Sequence, residues 1–195
     1  MIPPRIAAIV LAAGRSSRMP ANKLLTLIDG KPVIRRTLEA VCASCADPVI
    51  VVTGHQANKV TAALSDLPVT IVENVCFTNG LSSSLICGVK RLPQSLDGFL
   101  VALGDMPYVP RAVIDQLIAA FDPASGHGIV VPVSGGRRGN PVLWENSLAT
   151  EFLALTGDQG AKHLMALHAQ LLYELEVDSD SVLTDLDTPE DFTAR

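Results

Sequence analysis

At 195 residues the chain is long enough for one domain with a substantial buried core. It is 48 % hydrophobic but only 4 % aromatic, so that core is aliphatic. A net charge of −5 argues against broad electrostatic binding to nucleic acid or an anionic membrane surface, and no run approaches the ~20 apolar residues that span a bilayer. The composition suits α/β architecture, with buried parallel strands wrapped by helices, and a cytoplasmic location.

In chain order, Arg5 precedes a short apolar run that superficially resembles a signal peptide. That run passes directly into a basic loop, so 5–11 reads as a first strand. Residues 12–23, AAGRSSRMPANK, form the loop. Ala12, Ala13 and Gly14 allow a ligand close to their backbone N–H groups. Arg15, Arg18 and Lys23 bring charge, while Ser16, Ser17 and Asn22 bring small polar groups, a set able to neutralise a triphosphate. Neither the dinucleotide fingerprint nor the P-loop pattern is present, and an ordinary basic surface loop would have the same composition.

A helix is expected over 32–46, with Pro32 as its first residue. Cys42 and Cys45 share its face with Leu38 and Val41 and read as core thiols rather than metal ligands, since no second pair completes a zinc site. His163 and His168, five apart, do not share a helix face. Further strands are expected at 49–53, 69–72, 99–103 and 129–133, and helices at 56–65, 81–91 and 111–121. The alternation implies a parallel sheet with right-handed crossovers. Beyond 133 the pattern changes: a turn at Gly135 and Gly136, a strand at 140–144, a helix over 157–168 and a terminal strand at 182–186. One domain is expected over 1–195, with a core of about 1–133 and an elaboration over about 134–195.

Ligands of open α/β sheets bind beyond the carboxyl ends of the strands. The basic loop, Thr53 with Gly54 and His55, Glu73 with Asn74, and Gly104 with Asp105 all follow predicted strands. Asp105 is the strongest single candidate, a hard-oxygen ligand suited to Mg²⁺ beside phosphates, although turn aspartates also bond their own backbone. Asp185 and Asp187 share one face of an extended segment, so one of them can complete a metal site. The alternative is helix-start chemistry, in which Asp187 or Thr188 caps and Glu190 and Asp191 favour the positive helix end. Asn79, Gly80, Ser82, Ser83 and Ser84 open a helix, where the serines can cap it and the backbone can read the edge of a base. Arg137, Arg138, Gly139, Asn140 and Pro141 suit a second anionic substrate, or merely a hairpin.

Taken in order, the blocks LAAGRSSRM, NKLL, NGLSSSL, GDMP, RRGNPVL, GDQGAK and DLDTPEDF resemble the nucleotidyltransferases of molybdenum-cofactor maturation. These are MobA-like NTP transferases, and the pattern is most similar to the cytidylyltransferases among them. The resemblance covers nearly the whole chain. It implies a Rossmann-like three-layer nucleotidyltransferase fold with a mostly parallel central sheet, transferring CMP from CTP to the molybdopterin cofactor with Mg²⁺ and releasing pyrophosphate. By this resemblance Leu11, Ala12, Ala13 and Gly14, with Arg18 and Lys23, hold the triphosphate. Asp105 and Asp187 bind the metal; Asn79, Gly80 and Ser82 to Ser84 line the base pocket; Arg138, Gly139, Asn140, Pro141 and Lys162 face the pterin. A molybdoenzyme or chaperone would receive the product. Pro20 replaces a common glycine, and Asn140 a common histidine. Ala13, where related guanylyltransferases have glycine, favours cytosine over guanine. A guanylyltransferase, a cytidylyltransferase for a sugar or polyol phosphate, and a non-catalytic nucleotide sensor or carrier are the competing readings.

Overall fold

The computed structural model describes residues 3–16, 21–158 and 160–192, so Arg18 and Pro20 lie outside the described residues. In chain order the elements are β1 (Ile6–Ala12), β2 (Leu27–Ile28), β3 (Lys31–Pro32), α1 (Val33–Cys42), β4 (Val49–Thr53), α2 (Ala57–Ala62), β5 (Val69–Glu73), α3 (Leu81–Val89), β6 (Gly98–Leu103) and α4 (Arg111–Ala120). There follow β7 (Ile129–Ser134), β8 (Arg137–Arg138), β9 (Val142–Glu145), α5 (Ala149–Phe152), α6 (Lys162–Leu167) and β10 (Leu172–Glu176). The fold is α/β. Its central sheet has the order β10-β7-β9-β6-β1-β4-β5, with β8 paired to β7. β1 pairs parallel with β4 and β6, β4 with β5, and β7 with β10; β9 runs antiparallel between β6 and β7. The small β2–β3 ribbon stands apart.

Burial on both faces explains why the parallel strands read as unbroken apolar runs. All seven residues of β1 are buried. Its even positions, Ile6, Ala8 and Val10, pack with Ile34 and Leu38 of α1, Val60 of α2 and Ile114 of α4. Its odd positions, Ile9 and Leu11, join Leu85 of α3, Phe152 of α5 and Leu164 of α6 on the other face. The strand period of two thereby produces three layers. Phe152 fixes its face with edge-to-face contacts to Trp144 and Phe99, at centroid distances of 5.0 and 5.1 Å.

Several local expectations need correction. Pro32 is the cap residue before α1, with extended backbone, and not the first helical residue. α1 ends at Cys42, so Cys45 lies past the helix and is exposed; its N–H donates to Asp115 at 2.8 Å. Cys42 is half-buried and does pack against the core, as does Cys87, while Cys76 is exposed; all four thiols are free. The expected strand at 182–186 is instead a 3-10 turn over Asp180–Leu183 followed by extended chain. One edge strand is β10, which was not expected, and α6 starts only at Lys162.

Candidate active site

β1 leads by one crossover to β4 on one side, while β6 flanks it on the other, so the chain changes direction across the sheet at β1. The register aligns Ala12 with Thr53 and Leu11 with Leu103, bringing the loops after these strands to one edge. A cavity of about 610 Å³ opens there. Such a crevice is where open α/β sheets take ligands.

One wall is the loop after β1, through Leu11, Ala13, Gly14, Arg15 and Ser16. Among the described residues nothing lies within 4 Å of a side chain built at Gly14, which leaves its backbone open to a ligand. The Ser16 hydroxyl accepts the Lys23 N–H at 3.1 Å, and Asn22 caps the following 3-10 turn by accepting from Leu24 N–H at 3.1 Å. These bonds fix the backbone from which the Lys23 side chain departs.

The facing wall is Asp105. Gly104 makes its position possible: its N–H donates to the Leu11 carbonyl at 2.9 Å, and a Cβ there would stand 2.9 Å from that oxygen and 2.8 Å from the Ile34 side chain. Thr37 bonds the Gly104 carbonyl at 3.0 Å from α1. The Asp105 carbonyl in turn accepts from Leu186 N–H at 3.1 Å, which draws the C-terminal segment over the site. Asp191 holds that segment by accepting from the N–H groups of Asp187 and Thr188 at 2.9 and 2.8 Å. Asp191 is therefore the capping acceptor there, and Thr188 a donor. Those bonds keep the Asp191 carboxyl below its ordinary range.

The Lys23 ammonium lies 2.5 Å from Asp105 Oδ2 and 2.5 Å from Asp187 Oδ1. Burial alone would lower its pKa, but the two carboxylates outweigh burial and hold it above the ordinary lysine value. The Asp105 side chain is also largely buried. Burial pushes its carboxyl up and Lys23 offsets only part of the shift. Asp105, Asp185 and Asp187 offer oxygens within 4.8 Å of one another, and Asp105 Oδ1 is buried without a hydrogen-bond partner among the described residues. Converging hard oxygens with an unsatisfied acceptor fit a divalent cation such as Mg²⁺.

The third wall is the start of α3. Gly80 and Ser84 line the cavity with Phe77, Thr78 and Leu81. The serines do not cap the helix. Its first N–H, at Leu81, donates to Asp158 at 3.1 Å, and that of Ser82 to the Gly157 carbonyl at 3.2 Å. Ser83 and Ser84 accept from Asn74 at 2.8 and 3.0 Å and lock the preceding loop. Gly80, at φ +94°, has no room for a side chain against Gly157 and Asp158. Asp158 itself lines the cavity, a role with no local signal in the sequence.

The remaining candidates among the described residues fall outside this lining. Thr53 is buried in the sheet, and Gly54 packs where a Cβ would lie 2.7 Å from Phe77 and 2.9 Å from Ala13. Ala12 is buried within β1, Asn79 is exposed, Ser82 is buried, and the Ser83 hydroxyl donates to the Gly80 carbonyl at 2.8 Å. Arg138 pairs with Glu174 of β10 at 2.6 Å. The N–H of Gly139 donates to the Pro132 carbonyl and that of Asn140 to the Val182 carbonyl, each at 2.8 Å. Pro141 borders a small apolar cleft with Met106 and Val109, and Lys162 is exposed at the start of α6.

Comparison with solved structures gives a nucleotidyl transferase from Methanothermobacter thermautotroptrophicus, 31 % identical over 97 % of this chain and 94 % of that one, with a TM-score of 0.84. Rv0371c from Mycobacterium tuberculosis is 30 % identical over 99 % and 97 %, with a TM-score of 0.85; a structure of Rv0371c in complex with manganese is also similar. Among curated proteins, the bifunctional protein GlmU of Bifidobacterium adolescentis is 38 % identical over 132 residues, 64 % of this chain. The chain spans about a quarter of the length of such relatives. Residues 8–172 match the MobA-like NTP transferase domain, and the chain belongs to that family.

Proposed function

We propose that this domain transfers CMP from CTP to the terminal phosphate of the molybdopterin cofactor and releases pyrophosphate. The observation that carries the reading is Lys23, held between Asp105 and Asp187 beside the open Gly14 backbone. The acceptor phosphate is already anionic, so no protein nucleophile is needed. In-line attack on the α-phosphorus depends on alignment and on neutralising the charge that develops on the triphosphate.

In this reading Gly14 and its neighbours receive the phosphates, Lys23 moves its charge onto them, and Arg18 and Arg15 assist. Asp105, with Asp187 or Asp185, would hold Mg²⁺, which when bound supplies further charge neutralisation. Gly80, Ser84 and the Ala13 wall face the base. The Ala13 methyl beside Gly54 and Phe77 narrows that wall and favours a pyrimidine. In the same reading Asp158, at the cavity wall, would accept from a ribose hydroxyl. The proposed acceptor side is Asn140, Pro141 and the 157–162 segment, with Arg138 and Gly139 committed to Glu174 and Pro132, in one domain working in the cytoplasm, with a molybdoenzyme or chaperone taking the product.

The test is pyrophosphate release from each of the four nucleoside triphosphates with Mg²⁺ and molybdopterin cofactor. CTP is expected to be the preferred donor. Preference for GTP would reassign the base, and turnover only with a sugar or polyol phosphate would reassign the acceptor. CTP binding without pyrophosphate release in any combination would indicate a sensor or carrier.

A further inference from the structure

Lys23 does not leave its ammonium in open cavity. It closes on Asp105 Oδ2 and Asp187 Oδ1 at 2.5 Å each, and these two residues belong to the three-carboxylate group whose oxygens lie within 4.8 Å of one another. An ammonium and a divalent cation ask the same of such a group, several carboxylate oxygens converging on a point. Cations of charge one and two brought together in a half-buried cleft repel strongly, because little water screens them. The Lys23 side chain is only 13 % exposed and that of Asp105 18 %.

We propose that Lys23 is the resident counter-ion of the metal site in the nucleotide-free protein and competes with the divalent cation for Asp105 and Asp187. The metal is held firmly only after a triphosphate has drawn the ammonium away. This rests on the nucleotidyltransferase reading, which assigns the same lysine to the phosphates. The backbone of Lys23 is fixed by Ser16 and by the Asn22 cap, while its four-carbon stem is free to swing the charge between two anionic partners. Among the described residues Asp105 Oδ1 has no partner even with the lysine in place, so the ammonium fills the group only partly. Linkage then makes the effect reciprocal: whatever removes Lys23 from the carboxylates tightens the metal, and bound metal favours Lys23 on the triphosphate. Metal would thus enter with or after nucleotide.

The experiment is titration of the nucleotide-free protein with Mn²⁺, read by the electron paramagnetic resonance signal of the free ion. Lys23→Gln and Lys23→Met, similar in length and uncharged, are expected to bind Mn²⁺ at least about tenfold more tightly than the wild type. Asp105→Asn in the Lys23→Gln background should abolish the gain. Equal or weaker Mn²⁺ binding by the folded variants would overturn the proposal and show the two cations sharing Asp105 through its separate oxygens. The wild-type chain gives a second readout that needs no variant. Saturating Mn²⁺ should displace the ammonium and speed acetylation of Lys23 several-fold, followed by peptide mass spectrometry; an unchanged rate overturns the proposal. Its failure is separable from failure of the nucleotidyltransferase reading. The first would leave CTP turnover intact, whereas the second would abolish turnover and leave the Mn²⁺ titrations standing.

Discussion

Two segments of this chain set cations beside glycines, and the fold uses them in opposite ways. The loop after β1 carries Gly14, Arg15 and Lys23; the β7–β8 hairpin and its exit carry Gly135, Gly136, Arg137, Arg138 and Gly139. In the first, Lys23 is largely buried between two carboxylates at the wall of a 610 Å³ cavity. In the second, Arg138 is half-exposed and pairs with Glu174 of the edge strand, while Gly135 and Gly136 supply the positive φ of a tight turn. Composition does not distinguish them. Position does: one follows the buried strand at which the sheet changes direction, and the other turns a hairpin on the sheet's periphery.

The strongest way to break this contrast is Lys23→Ala. Loss of a preorganised charge at the reacting phosphates is expected to lower turnover with CTP by about 10²–10³, roughly 3–4 kcal/mol of barrier. Near-normal turnover would reduce the loop to surface. Gly139→Ala comes next, and acts on stability instead. A methyl there meets the Val182 main chain and side chain, while the Gly139 N–H is committed to Pro132 at 2.8 Å. Overpacking of this kind costs about 1–3 kcal/mol, to be read from a denaturant midpoint. Unchanged stability with impaired acceptor binding would move Gly139 from packing to recognition.

The sheet centre was legible for a simple reason. β1, β4 and β6 are covered on both faces, so their sequences are continuous apolar runs, and the residues that follow them stand out. Asp105 was visible on those terms. β10 was not, because a half-exposed edge strand reading L-Y-E-L-E carries glutamates that blur its pattern. Residues 182–186 have a strand-like composition, yet their backbone is set by the bond from Leu186 to Asp105, more than eighty positions away in sequence. Asp158 was equally hidden. The start of α3 lacks a side-chain cap of its own, and only the folded chain shows which distant carboxylate supplies one.

Smaller effects sharpen the contrast between site and surface charge. Arg138→Ala removes an exposed ion pair and is expected to change stability by no more than about 0.5 kcal/mol. The acceptor KM should stay unchanged as well; a rise of about tenfold would bring the hairpin into the site.

The smallest effect belongs to Arg35 and Asp66, which meet through two parallel bonds of 2.7 Å, a geometry tighter than that of most surface pairs. The Arg35 guanidinium holds the Asp66 carboxyl at about 2, below its ordinary 3.8. A depressed carboxyl stabilises the fold above its unfolded value, and the contribution disappears as pH falls through the folded one. Asp66→Asn should therefore melt slightly below the wild type at neutral pH. The gap should narrow below pH 3.8 and close near 2. Because the Asp66 side chain is 63 % exposed, solvent and salt screen the pair, and even this bidentate geometry should yield only a small shift. A gap constant across that window would assign it to packing of the side chain instead. A large shift at neutral pH would show that two well-aligned bonds can matter at the surface as much as burial does at Lys23.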